Sequence, residues 1–565
     1  MKWYVIIFCA LYMSVQSYAQ VSSCNSVNYL SRSYASLFIP NEEDSVLTIR
    51  LNLIFIQKDD GTGNFQENDT AHQNFITTVM NILNTNIIAD LKMPDADCFA
   101  GSESDLVRDM RIRFVDHRHY IPQSSVWDNG ICNGSGRLCP NRYNWYLKCI
   151  DDSLNNAIPD SLKAINIYFT EDASTYHRCW EISDTADTSY LAECTRGGCS
   201  DFPLYYTHAS SQVHIICSYS KYWWFKNIVP QLASENYKQW YYQGMLLAAG
   251  SVASDMAHEL GHSFGLHHPN EDLSHVIYPD TGCMATIMQP SGNSLRNFLP
   301  PQEIGWMYYN CMTTNLQYFI PTNTYLGTKT LNTTVTLPRM RMYYSPLIGS
   351  SGNVTMPCDM TFSPQGYIMV QNGGILTVNG ASLQSIQGSW GGIIVESGGK
   401  LILSDVSISD YNIVVKSGGS LIVTNDLTIS GDHSITIEDG GYLCVDENAS
   451  IDLEDAFSVI TASPNAILGC PTCNANCVQT RSDLTNSGNG HFITYEGTSY
   501  LQNITISSDY LATGNITNAG YDVTSTQPYG NVVVEDGGEL RIKANETTLT
   551  KGVEIQLGGK LIISK

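Results

Sequence analysis

Two kinds of hydrophobic pattern divide this chain. From about residue 361 short apolar runs alternate with Gly-Gly pairs. Ile368-Met369-Val370, Gly373-Gly374 and Leu376-Thr377-Val378 form one such unit, and further pairs stand at Gly398-Gly399, Gly418-Gly419, Gly440-Gly441, Gly537-Gly538 and Gly558-Gly559. A repeat of about 20 residues made of short strands and glycine turns predicts stacked rungs, each burying its apolar residues against its neighbours. The expectation is an all-β, parallel β-solenoid-like domain over 361–565, interrupted by a cysteine-rich inserted loop near 455–500.

Before it the pattern is mixed. Val46 to Gln57, Met110 to Val115, Ala164 to Phe169 and Val213 to Cys217 read as strands, and Thr70 to Asn86 as a helix with Phe75, Val79, Ile82 and Leu83 on one face. Ala253, Met256, Ala257, Leu260 and Phe264 recur at three- and four-residue steps and predict a second helix, which Ser251 or Ser254 could cap. Strands alternating with helices point to an α/β fold.

At 565 residues the chain is too long for one ordinary domain. Its net charge of −24 argues against nucleic acid as a partner. Lys2, the apolar run Trp3 to Met13 and the small-x-small site Ser17-Tyr18-Ala19 read as a signal peptide over 1–19, too short to span a bilayer, and no later membrane span is expected. The chain is therefore expected to be secreted or at the cell surface, and cysteines there read as disulfides. Of the 17 cysteines, one leaves with Cys9, twelve run from Cys24 to Cys358, and four (Cys444, Cys470, Cys473, Cys477) lie beyond. Both sets are even, so each half could close its own bridges.

The candidate chemistry lies on the second helix. His258-Glu259-Leu260-Gly261-His262-Ser263-Phe264-Gly265-Leu266-His267-His268 fills every fixed position of H-E-x-x-H-x-x-G-x-x-H. Residues four apart sit one turn up the same helix face, so His258 and His262 can point two imidazoles at one ion. Glu259 lies beside them without being a ligand, placed to accept a proton from a metal-activated water. Gly265 has no Cβ and lets the chain leave the helix at an angle closed to other residues. His268, three residues on, returns as a third ligand, while His267 is one step short and points elsewhere. Three nitrogens leave a fourth position open, the mark of a catalytic Zn²⁺. In Asp59-Asp60-Gly61-Thr62-Gly63-Asn64 the carboxylates could hold a structural Ca²⁺, beside the plainer reading of a polar loop. Tyr222-Trp223-Trp224-Phe225 could line a groove or pack in the core.

This zinc stretch resembles the metzincin zinc peptidases, a family named for a Met-bearing turn beneath the metal. Of Met284 and Met288, the pair Ile287-Met288 is the more similar to that turn, which implies a structural role for Met288. The order of strands, the Asp-Gly-x-Gly-Asn-like turn and Leu299 to Met307 as a closing helix resemble the pappalysin-type branch. Pro290, where that branch has a tyrosine, makes the turn more similar to the matrixin one, and Pro269 after the third ligand fits neither. Tyr278 is a loose candidate for the missing tyrosine.

The resemblance implies an α/β metzincin-like catalytic domain over 45–315, after an N-terminal segment 20–44 and before a linker 316–360. The function it implies is a secreted zinc-dependent endopeptidase acting on protein or peptide substrate, with Glu259 as general base. The alternative from another class is a surface adhesin or glycan-binding protein, its zinc domain inert or structural, with glycan or cell-surface contact through the repeats.

Overall fold

The computed structural model describes residues 32–94, 99, 101–122, 124, 163–170, 198–200, 212–216, 219, 222, 226, 237–269, 285–289, 297–468, 491–494, 498–525 and 528–564. The chain divides between Gly327 and Thr328 into two compact units.

In the first unit β1 (Leu47–Gln57) is a central strand. Its neighbours are β2 (Ile112–Pro122) and β3 (Ile165–Thr170), and the sheet runs β2-β1-β3-β5-β4 with β5 at Gln212–Ile216 and β4 at Gly198–Ser200. The first four of these pair in parallel, and β4 adds to β5 antiparallel. A strand covered on both faces reads as a continuous apolar run rather than an alternation, and β1 is buried at every position from Leu51 to Gln57. β2, at the edge, keeps only Ile112 and Phe114 buried. Its exposed backbone is partly closed by Asn84, whose amide donates to the Phe114 carbonyl and accepts from the Phe114 N–H, both at 2.8 Å.

Helix α1 (Thr70–Asn81) starts at Asp69, whose Oδ1 accepts from the N–H of Ala71 and His72. It buries Phe75, Ile76, Val79 and Met80. The predicted helix to Asn86 ends at Asn81 as an α-helix and continues as one wider turn, Ile82–Ile87, which buries Leu83 and Ile87. Asn64 ties two strand ends together, donating to the carbonyls of Ile56 and Phe169 at 2.8 Å each. The acidic residues of the same loop hold loop atoms: Asp60 accepts from Thr62, and Asp59 from the Ser124 N–H. Tyr222 is buried against Phe65, His72 and Phe75, so this member of the aromatic cluster packs in the core. Trp223, Trp224 and Phe225 lie outside the described residues.

Helix α2 (Tyr237–Ser263) carries the zinc-like motif, and α3 (Pro301–Thr313) closes the unit with Pro301 in its first turn. Ser251 and Ser254 do not cap α2. The helix begins four turns earlier, and Leu246, Leu247, Ala248 and Ala249, all good helix formers, carry it through to the motif. A Cβ on Gly305 of α3 would stand 2.1 Å from the Ala35 carbonyl oxygen, so the glycine lets the short helix Arg32–Phe38 lie directly on α3.

The second unit is a parallel β-solenoid. Its strands stack into a seven-stranded sheet, an eight-stranded sheet and two three-stranded sheets that form the third side, followed by a four- and a three-stranded stack over 498–564. Every pairing between these strands is parallel and in register; Val354, Leu376, Leu401, Leu421 and Leu443 stand one above another, all buried. The Gly-Gly turns work by two different means. The first glycine has positive φ, +78° at Gly398, while the second sits under the rung before, where a Cβ on Gly399 would lie 2.4 Å from the Val370 carbonyl oxygen. The turns themselves stack: Gly398 N–H donates to Gly418 O, and Gly418 N–H to Gly440 O.

The array differs from the sequence reading in two places. Strands Gly327–Leu331 through Met360–Phe362 already belong to the solenoid sheets, so most of the stretch read as a linker (316–360) is rungs without the Gly-Gly mark. Strands Val459–Ala462, Ile467–Leu468 and His491–Thr494 also belong to the sheets, so the array passes through both ends of the stretch read as an inserted loop. Cys470, Cys473 and Cys477 lie outside the described residues. Cys358 and Cys444 are disulfide-bonded. Cys311 is a free, buried thiol in α3, so the twelve cysteines from Cys24 to Cys358 do not all pair among themselves.

Candidate metal centre

The site is built by the end of α2, the turn that follows it and one turn from a distant segment. α2 stops in a glycine-dependent way. Gly265 has φ +87°; its N–H donates to His262 O at 2.9 Å, and the Leu266 N–H reaches back to Gly261 O at 3.0 Å. That pair of bonds closes a helix end on a left-handed residue. The chain then turns back, and His268 comes to face the two helical histidines.

His258, His262 and His268 form the one potential metal-binding group of His, Cys, Asp and Glu side chains among the described residues. The His268 Nε2 lies 3.0 Å from His262 Nε2 and 3.2 Å from His258 Nε2. His258 is buried, and the other two are half-buried. Glu259 is buried and is not part of the group. His267 is half-buried and stands outside the group.

The donor set fits a cation, for a reason in the hydrogen bonding. His258 Nδ1 lies 2.8 Å from the Ile287 carbonyl oxygen and His262 Nδ1 2.8 Å from the Leu266 carbonyl oxygen. A carbonyl only accepts, so each Nδ1 carries the hydrogen and each neutral ring turns an Nε2 lone pair inward. At least two lone pairs, and at most one N–H among three neutral rings, therefore converge on one point. A bound cation satisfies all three nitrogens. Imidazole–zinc bonds of about 2.0–2.1 Å in a tetrahedron would set the nitrogens about 3.3 Å apart, close to the separations found.

The Ile287 carbonyl comes from a turn over Thr286–Gln289, closed by Gln289 N–H to Thr286 O at 3.1 Å and pinned by Ile287 N–H to Phe298 O at 3.0 Å. Met288 in this turn is fully buried. A Cβ on Gly261 would lie 2.3 Å from its sulfur, so Met288 packs against bare helix backbone between His258 and His262. Met284, Tyr278 and Pro290 lie outside the described residues.

Sequence reasoning missed the two groups that orient the His258 and His262 rings, because both are backbone carbonyls and carry no residue signature. It also missed α3's part: Asn310 Nδ2 donates to Phe264 O at 2.7 Å and Trp306 Nε1 to Gly265 O at 3.3 Å. Gly261 occupies a free position of the motif, and nothing in the spacing marks it.

The first unit is thus an α/β sheet-and-helix assembly carrying a three-histidine group, and the second a parallel β-solenoid. No protein-family model matches the chain, and no curated protein does. Among solved structures, a crystal structure of a TibC-catalysed, hyper-glycosylated TibA fragment is similar at 17% identity over 42% of this chain and 92% of that one, with a TM-score of 0.13. At that TM-score the likeness bears on neither the fold nor the function of this chain.

Proposed function

We propose that this chain is an exported, zinc-dependent endopeptidase of the metzincin kind. The observation that carries the reading is the convergence of three Nε2 atoms, two of them with lone pairs turned inward by carbonyl-bound Nδ1–H groups, next to a buried glutamate at the second motif position. Zinc held by His258, His262 and His268 would supply Lewis acidity, polarising a peptide carbonyl and making water a stronger acid.

The rest falls to the chain's own groups. Glu259 takes a proton from the attacking water and returns it to the leaving amine. Its burial keeps competing solvent away from the carboxylate. A site that only needed to hold a metal would have no use for a carboxylic acid there, which favours an enzyme over an inert or structural zinc domain. The antiparallel strand β4 is the last of the sheet among the described residues. An extended peptide could pair with such an edge through main-chain hydrogen bonds, with little dependence on its side chains. Export rests on the reading of residues 1–19; among the described residues no helix is long and apolar enough to cross a membrane.

The test is hydrolysis of an unfolded protein by the metal-replete chain, its block by a chelator, and its loss in Glu259→Gln. The variant should keep its metal and lose nearly all turnover. Turnover at the level of the unaltered chain in metal-replete Glu259→Gln would sink the mechanism, and no hydrolysis by the unaltered chain of any peptide in a broad library would favour the adhesin reading.

A further inference from the structure

The turn between the second and third histidines is held from outside by α3. Three successive carbonyls of this turn each accept one side-chain N–H. Phe264 O takes Asn310 Nδ2 at 2.7 Å, Gly265 O takes Trp306 Nε1 at 3.3 Å, and Leu266 O takes the His262 ring at 2.8 Å. The first two donors are four residues apart on α3 and so lie on one face of it, one turn from each other. Both are buried, Asn310 completely. A helix end leaves carbonyls without partners, and here the two that lie just past the helix are claimed by a separate element.

The geometric consequence runs to the metal site. The Gly265 turn decides where Leu266 O stands, hence which way the His262 ring faces, and where the chain goes next, hence where His268 stands. If Phe264 O and Gly265 O lose their donors, the hydrogen bonds left on the turn among the described residues are its own backbone bonds and the one from His262, a ring it has to orient. We infer that Asn310 and Trp306 are positioning residues for the three-histidine site: α3 acts as a splint that holds the turn in the form able to bind a metal before any metal arrives. This rests on the metal-binding reading above. It makes metal affinity a property of α3 as well as of the motif. Groups that orient metal ligands typically change affinity by about 10–100-fold when removed, and a loss in that range is expected for each donor.

The experiment uses the full chain and two variants. Asn310→Leu is close in size and has no N–H to offer. Trp306→Phe removes the indole donor and keeps a ring to stack on Tyr309, now 5.1 Å away centroid to centroid. Zinc affinity is measured by competition with a coloured chelator, and the absorption spectrum of the Co²⁺-loaded protein reports the arrangement of the nitrogens. Metal-free thermal unfolding serves as the control for general damage. Weaker zinc binding by about 10-fold or more, with altered Co²⁺ bands in the molecules that do bind, is the expected result; a role in folding alone would lower the folded fraction and leave the bands of the bound ion unchanged. If Asn310→Leu does not fold, Trp306→Phe decides the matter alone. Unaltered affinity and unaltered bands in a folded variant overturn the splint while leaving the metal site intact. Failure of the unaltered chain to bind zinc or Co²⁺ at all would instead overturn the reading on which the splint rests.

Discussion

Replacing Gly261 by alanine sets two known effects against each other at the three-histidine site. In an exposed helix the change would stabilise by about 0.8–1.0 kcal/mol, the difference in helix propensity. Here the new methyl would lie 2.3 Å from Met288 Sδ and 3.3 Å from its Cε, against a comfortable separation of about 3.5–4.0 Å. The overlap with sulfur is more than an ångström. Met288 is fully buried, so it cannot swing into solvent to escape. Forcing an extra methyl into such a core costs about 1–3 kcal/mol, which leaves a net loss of about 0–2 kcal/mol. The sign should reverse in a Met288→Ala background. There the sulfur is gone, the methyl has room, and Gly261→Ala should stabilise by up to about 1 kcal/mol relative to Met288→Ala. The coupling between the two sites is then about 1–3 kcal/mol, within the range of residues in direct contact. A second readout follows from the same geometry. Moving Met288 moves the neighbouring Ile287 carbonyl away from His258 Nδ1, now at 2.8 Å, and zinc affinity in Gly261→Ala should fall by about 10–100-fold. Denaturant unfolding of the metal-free proteins, with zinc competition alongside, measures both. An equal effect of Gly261→Ala in the two backgrounds would refute the packing of Met288 on the helix backbone at Gly261.

Three further outcomes are expected. His268→Ala should sharply weaken zinc binding while His267→Ala keeps about one metal per chain, by metal analysis after dialysis against a mild chelator; the reverse result would place the third ligand one residue earlier. In α1, burial pushes the His72 imidazole below its ordinary value of 6.5, with Asp69 opposing and Lys226 assisting, and its Nδ1 accepts the Gln66 N–H at 3.0 Å. Below 6.5 the unfolded chain then binds more protons than the folded one, so this contribution to stability is present above about pH 6.5 and is lost as pH falls through the depressed folded value; His72→Gln should flatten that part of the stability–pH curve, and an unchanged curve would refute the assignment. Gly399→Ala in the solenoid should destabilise by about 1–3 kcal/mol, because the methyl would meet the Val370 carbonyl at 2.4 Å, backbone held by the ladder and unable to move aside; thermal unfolding of the full chain at the parent midpoint would contradict this.

Much of this molecule was legible in its sequence where a local rule acts alone. The five motif positions His258, Glu259, His262, Gly265 and His268 follow from helical geometry and one left-handed residue, both properties of a few consecutive residues. The Gly-Gly period marked the solenoid because each rung needs the same turn in the same place. The rungs before residue 361 carry no such pair, so their membership in the array appears only when Val335 is seen to stack on Val354. The start of α2 was misplaced because serine caps and serine inside a helix look the same in one dimension, and the helix formers upstream decide between them. The even cysteine count suggested complete pairing, and the folded position of Cys311, buried in α3, shows otherwise. What tertiary structure alone decided is the chemistry of orientation. Ile287 O and Leu266 O fix the faces of two imidazoles, Met288 fills the space that Gly261 leaves, and Asn310 and Trp306 hold a turn some 40 residues away in the chain. Carbonyls are common to every residue and contacts between distant segments have no spacing, so no pattern of residue types could have announced them.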